Sequence, residues 1–299
     1  MLHPSEATAR RPARDRAVLL ITLLAAALSG AAGCGRRSPV ALPTGAGTPF
    51  PLFAAAYGDA TTDCRALKTL SASIRLSGRA GGTKLAARID SGFAAPAQIR
   101  LEGYPRVNFG GQPFFVLVSS DTGTMLVMPR DRRVLRGAPP AAIVEALAGV
   151  ALGPADLRAL VAGCGLQSAE ASAGRAFPNG WLAIDAGETA VFLRSVAGRW
   201  RVIGARRGML TITYADFAAG RPSTVQIRTP AGAGAAAADL VLRLSQVEVD
   251  APLDPRVFDV EVPRNAVPLT LDELRRAGPL GASSTKAGFA SPIAPPSGT

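Results

Sequence analysis

The side chains able to do chemistry are few in this sequence, and the gaps among them are informative. The only histidine is His3, in an N-terminal segment expected to be removed, so Ser-His-Asp and Cys-His nucleophilic catalysis and most zinc sites lack their base or ligand. The 22 acidic residues form no spaced cluster of the kind a calcium loop or a metal-carboxylate site requires. A carboxylate pair assembled by the fold from separate strands is the catalytic arrangement the sequence leaves open. The expectation is therefore a protein that is not an enzyme and carries no cofactor and no metal. What remains is three cysteines, Cys34, Cys64 and Cys164.

Cys34 follows a recognisable pattern. Arg10, Arg11, Arg14 and Arg16 precede an apolar run from Ala17 to Gly33 that ends in Ala31, Ala32 and Gly33. A basic stretch, an apolar stretch and a small-residue site in that order make an export signal. With a cysteine next, it resembles a bacterial lipoprotein signal, in which that cysteine becomes the lipidated first residue. The Leu usual at the first position of the box is absent, although Leu28 lies nearby. The alternatives are an ordinary secretory signal or a single membrane anchor, for which the apolar stretch is short. Residues 1–33 are thus expected to be a lipoprotein signal peptide. By resemblance to lipoproteins, Gly35 and Arg36 after the cysteine imply the outer membrane, with the chain lipid-anchored on its periplasmic face. Export places Cys64 and Cys164 in an oxidising compartment. One bridge between them would close a loop of about 100 residues, for which chain entropy gives at most roughly 4–5 kcal/mol; two separate buried thiols are the alternative.

The elements that must position these residues are mostly strands. Leu70, Ala72, Ile74 and Leu76 alternate with Ser71, Ser73, Arg75 and Ser77, the period of a strand with one buried face. After the turn Arg79–Gly82, Leu85, Ala87 and Ile89 continue the pattern, as do Ile99 and Leu101 after Pro96. Phe114–Val118 and Met125–Met128 are apolar at every position, which places them at the sheet centre, covered on both faces. Further strands are expected over 133–136, 181–185, 189–196, 199–204, 209–214, 224–228, 239–249 and 257–262. Into this pattern the segment Pro139–Cys164 inserts two short helices separated by Gly153 and Pro154. Ile143, Val144, Leu147 and Val150 on the first, and Leu157, Leu160 and Val161 on the second, form an apolar stripe. These helices are either core helices or a lid over a cavity. Thr270 and Glu273 have capping-box spacing for a last short helix.

With 299 residues, 48% hydrophobic and 18% charged, the chain can bury a sizeable core. Residues 34–53, rich in Gly, Pro, Ser and Thr, read as a flexible tether, residues 54–277 as the folded domain, and residues 278–299 as a disordered tail. The net charge of +11 comes largely from scattered Arg with no basic block, and aromatic residues are only 5%. Nucleic acid is therefore not expected as a partner, and an anionic membrane surface fits the charge better.

The order of parts from Cys64 to Arg276 is similar to the LolA/LolB-like family of periplasmic carriers and outer-membrane lipoproteins. It comprises a helix into LSASIRLSGR, a second strand ending DSGFAAP, then RLEGYPRVNFGGQPFFVLVSSD, PRDRRVL, the two lid helices, and the closing PLDPRVFDVEVPRNAVPLTLDELR. The resemblance implies a mainly β fold, an unclosed antiparallel β-barrel of about 11 strands with a helical lid or plug. It also implies a face lined by Leu70, Ile74, Leu76, Leu85, Ile89 and Leu101 that receives acyl chains of lipids or lipoproteins, in a protein that acts as a monomer. Membrane-anchored members carry an exposed apolar loop that contacts lipid. The candidate here is the turn bearing Val107 and Phe109, the alternative being that Phe109 packs beneath its loop. Two functions follow: an outer-membrane lipoprotein that binds acyl chains, with a place in lipoprotein localisation, or a structural lipoprotein whose barrel is filled by its own side chains.

Overall fold

The alternation around Leu70–Leu76 is built as a long strand, and strands like it make up one continuous sheet. The computed structural model describes residues 40–105, 111–232 and 237–280; Cys34, the signal segment, Val107 and Phe109 lie outside them. In chain order the strands are β1 (Thr48–Pro49), β2 (Thr69–Ala80), β3 (Thr83–Ala94), β4 (Gln98–Pro105), β5 (Phe115–Ser120), β6 (Gly123–Met128) and β7 (Arg133–Arg136). They continue as β8 (Ala173–Phe177), β9 (Trp181–Ala186), β10 (Thr189–Val196), β11 (Arg199–Arg207), β12 (Leu210–Ala218), β13 (Arg221–Thr229), β14 (Ala238–Val249) and β15 (Val267–Pro268). The helices are α1 (Phe53–Ala66), α2 (Pro140–Ala148), α3 (Pro154–Ala162) and α4 (Leu271–Ala277).

The 15 strands form a single sheet in the order β1-β8-β9-β10-β11-β12-β13-β14-β2-β3-β4-β5-β6-β7-β15. Every pairing is antiparallel except β15 on β7. Its two ends, β1 and β15, do not pair, so the sheet stays unclosed. Hairpins set the register: Gly81 and Gly82 between β2 and β3 have φ of 54° and 79°, the two positive values that match the twist of the flanking strands. The pairing that brings distant parts of the chain together is β14 on β2, running from Ala238 opposite Ala80 to Val249 opposite Leu70.

Four expectations change. The strand number exceeds about 11 in part because β1, β8 and β15 are too short or irregular to show a period. Thr48–Pro49, within the expected tether, pairs with β8, and Phe50 donates its N–H to Gly174. Residues 257–262 are not a strand: Pro255–Phe258 is a 3₁₀ turn capped by Asp254, whose carboxylate accepts the Arg256 N–H. And β5 and β6 are not central, because β14 meets β2 and displaces the middle of the sheet away from them. They are nonetheless covered on both sides: Leu117 and Leu126 join the main core, while Val116 and Val118 pack against Phe258, Leu253 and Val260.

Candidate functional site

The covered face of the sheet is where the family resemblance implied a ligand, and the structure brings the described residues expected there into one apolar cluster. Leu70, Ile74, Leu76, Leu85 and Leu101 are buried from the strands and Ile89 is partly buried against them. From the helices, Ile143, Val144, Leu147, Leu160 and Val161 are buried, and Leu157 packs at the edge; Val150, expected on the first helix, is buried just past its end, because the left-handed Gly149 stops α2 at Ala148. Ile143 and Leu160 are fully enclosed, at 0% exposure. The helices thus rest directly on the strands, and their side chains fill the space between.

The two helices are fastened very differently. The second, α3, is bound by polar and covalent ties. Cys64 on α1 and Cys164 just past α3 form a disulfide with their Cα atoms 6.2 Å apart. Tyr214, on an inward position of β12, accepts the Gly165 N–H at 2.9 Å and donates to the Leu160 carbonyl at 3.0 Å. Burial pushes the Tyr214 phenol well above its usual range, so it stays a neutral donor. In the first turn of α3, Asp156 receives both Arg207 terminal nitrogens at 2.7 and 3.0 Å, the two-pronged pairing that charge and planarity favour. Those hydrogen bonds hold the Arg207 pKa above its usual value. Arg207 also donates to the Gln167 carbonyl at 2.6 Å, and Asp156 accepts the Gln167 N–H at 3.0 Å.

The first helix, α2, has no such set. Proline at its first position and Gly149 at its end define it. Gly149 has φ 76° and its N–H returns to the Glu145 carbonyl at 2.7 Å. A Cβ there would stand 2.7 Å from that of Ala80, so glycine is required for both conformation and space. Outside its apolar face, α2 is tied to the C-terminal segment, where Leu280 donates its N–H to the Leu147 carbonyl at 2.9 Å and Arg275 comes within 4.0 Å of Glu145. That segment is itself fixed by α4. Thr270 and Glu273 form the expected capping box, and Arg133 on β7 donates to Glu273 at 2.9 Å. The two helices, expected either as core helices or as a lid, are thus fastened unequally, α3 by a disulfide and a polar clamp and α2 by its apolar face and the C-terminal segment.

Two cavities lie at the margins of the fold, one bordering this cluster and one beyond the sheet. One, about 450 Å³, lies between α1 and α3 beside the disulfide, lined by Tyr57, Thr61, Arg65, Arg158, Leu166 and Ser168 among others. The other, about 960 Å³, is a groove on the opposite face of the sheet between β4–β6 and the segment 254–263. Several of its charged groups pair with one another. Arg100 pairs with Glu102 at 2.6 Å and donates to the carbonyls of Val257 and Asp259, and Tyr104 donates to Glu102 at 2.5 Å. Burial pushes the Glu102 carboxyl up, but the bonds from Tyr104 and Arg100 carry it below its usual range; burial and that carboxylate raise Tyr104 to about 12.

Sequence reasoning missed Tyr214 and the Arg207–Asp156 clamp. The tyrosine had a signal, since a hydroxyl at an inward strand position beside Ile212 must find a buried partner; the clamp had none, because its members are 51 residues apart. Among the described residues no cluster of three or more potential metal ligands occurs, and no helix is long and apolar enough to cross a membrane.

No protein-family model and no curated protein matches the sequence. Among solved structures, the chain is similar to a LolA superfamily protein, NE2245, from Nitrosomonas europaea, at 10% identity over 72% of this chain and 99% of that one, with a TM-score of 0.47. It is also similar to a putative outer membrane lipoprotein-sorting protein domain from Vibrio parahaemolyticus, at 11% identity over 69% and 96%, TM-score 0.45. The lipoprotein LppX of Mycobacterium tuberculosis gives 10% identity over 68% and 98%, TM-score 0.30.

Proposed function

We propose that this chain is a binding protein for acyl chains of lipids or lipoproteins, anchored through a lipid on Cys34 to the periplasmic face of the outer membrane. In this reading an acyl chain enters by taking the place of α2 on the covered face of the sheet, while α3 stays as a fixed wall. The observation that carries it is the contrast in fastening: α3 is held by a disulfide, Tyr214 and Arg207, whereas α2 is held chiefly by Ile143, Val144, Leu147 and Val150. Four such side chains gain about 6–12 kcal/mol on burial at roughly 1.5–3 kcal/mol each. An acyl chain of about 15 methylenes returns about 12 kcal/mol at roughly 0.8 per CH₂. The exchange is nearly balanced, as reversible loading requires.

The second reading is a self-filled barrel that binds nothing on this face, and the full burial of Ile143 and Leu160 favours it. Native mass spectrometry of protein purified from membranes separates the two. The binding reading expects a covalent diacylglyceryl mass on Cys34 and additional, non-covalent lipid that the Leu147→Asp variant loses while keeping its Cys64–Cys164 bridge. Protein free of non-covalent lipid, with unchanged affinity of the variant for a fluorescent fatty acid, would leave the self-filled barrel; an unmodified Cys34 would remove the anchor.

A further inference from the structure

The sheet's other face carries an arrangement that neither the lid nor the groove uses. Strand registers place Arg243 on β14 opposite Arg75 on β2, and Arg75 opposite Arg88 on β3. Three arginines therefore stand side by side on adjacent strands, roughly 5 Å apart. Like charges directly opposite each other destabilise a sheet. The flanking outward positions on β2 and the one opposite Arg243 on β13 are Ser73, Ser77 and Thr224, and the one carboxylate flanking the row is Asp90, opposite Ser73 on β3. Two rows further along the same face lie Arg79, Lys84 and Arg228, with Asp239 between Arg228 and Arg79.

The nearby carboxylates are already engaged. Asp90 pairs with Arg88 at 3.2 Å, and Asp239 with Arg228 at 3.5 Å; Glu248 lies opposite Ser71, further along β2. Arg88 also lies over the Tyr104 ring, 4.5 Å from its centroid. Arg75 and Arg243 are exposed and, among the described residues, have no ion pair. A repulsive row kept without its neutralising partners implies that the partner is external and negative.

We propose that this face, centred on Arg243, Arg75 and Arg88, docks on the surface of an anionic phospholipid membrane. The chemistry selects a membrane over a discrete ligand or an acidic protein. The cations are spread across four strands with no buried polar cradle, which suits a continuous array of phosphates. Serines and a threonine lie between them, and the neighbouring Tyr104 ring, opposite Arg88, is covered by that arginine, so the face lacks an uncovered aromatic anchor of the kind that dominates protein–protein interfaces. Each arginine brought to an anionic surface strengthens association about fivefold, an effect that salt screens. The proposal is independent of the lid, since these side chains point away from the core that α2 and α3 cover.

The test uses the full chain reconstituted into vesicles of phosphatidylcholine, or of phosphatidylcholine and phosphatidylglycerol in equal parts. Phenylglyoxal modification of each arginine is then read by peptide mass spectrometry. A lipid anchor holds the protein on both vesicles alike, so only the orientation of this face differs between them. Arg75, Arg88 and Arg243 should be protected on the mixed vesicles and reactive on pure phosphatidylcholine, with protection lost in high salt. Arg199, at the β10–β11 turn beside Asp59, should react equally on both. In an Arg75→Gln/Arg243→Gln double variant, which leaves the covered face untouched, half-protection of Arg88 should need about 25-fold more anionic lipid, two arginines at fivefold each. Equal reactivity on the two vesicles, salt-insensitive protection, or unchanged protection of Arg88 in the double variant would overturn the proposal.

Discussion

Tyr214 shows how much one hydroxyl can decide. It is 1% exposed on a strand face otherwise made of aliphatic side chains, and it closes the orphan ends of α3 by bonding both Leu160 and Gly165. A buried donor and acceptor left without partners cost about 1–3 kcal/mol. Tyr214→Phe preserves the ring and its packing but strands the Gly165 N–H, while the Leu160 carbonyl keeps the Gly163 N–H at 3.2 Å, so urea denaturation should show a loss of about that size with native circular dichroism unchanged. A loss near zero would mean that the backbone there finds other partners and that the tyrosine is no clamp.

At the scale of elements, the latch on α2 depends on a carboxylate. Hydrogen bonds from the Thr270 N–H, then Arg133 and the Thr270 hydroxyl, bring the Glu273 pKa down to about 2, against about 4.3 for an unfolded Glu. A folded pKa below the unfolded one gives stability that is complete above pH 4.3 and is lost as pH falls toward 2. That loss frays α4, and with it the Leu280–Leu147 hydrogen bond that holds α2. Hydrogen exchange of residues 139–150, corrected for the intrinsic rate, should therefore accelerate relative to 154–164 as pH falls from about 5 to about 2. Glu273→Gln should loosen 139–150 already at neutral pH and flatten that response. Parallel behaviour of the two segments would show that α2 and α3 are one unit.

For the molecule as a whole, the disulfide and the β14–β2 pairing do different work. The bridge spans 100 residues and acts mainly by restricting the unfolded chain, so its removal costs at most roughly 4–5 kcal/mol. The long β14–β2 ladder joins the early and late strands without it. A Cys64→Ala/Cys164→Ala variant should therefore keep the strand content of the wild type by circular dichroism while its denaturation midpoint drops sharply. Loss of the sheet itself would mean that the bridge is needed to form the fold and not only to stabilise it.

The amino-acid sequence by itself determined what depends on residues a few positions apart. The alternation of Leu70–Leu76, the glycines at 81–82, the two helices separated by Gly153 and Pro154, and the Thr270–Glu273 cap were legible, because periodicity, turn conformation and capping are local; the stop at Gly149, ahead of Val150, was not. Cys64 and Cys164 were legible as a pair because few cysteines were left to combine. Only the tertiary structure decided what rests on partners distant in sequence. The double-faced apolarity of β5 and β6 announced a cover on each side but not that Leu253–Val260 supplies one, nor that these strands lie toward an edge. The clamp of Arg207 on Asp156 and the row Arg243–Arg75–Arg88 likewise exist only through register and topology, since no spacing along the chain records which strand lies beside which.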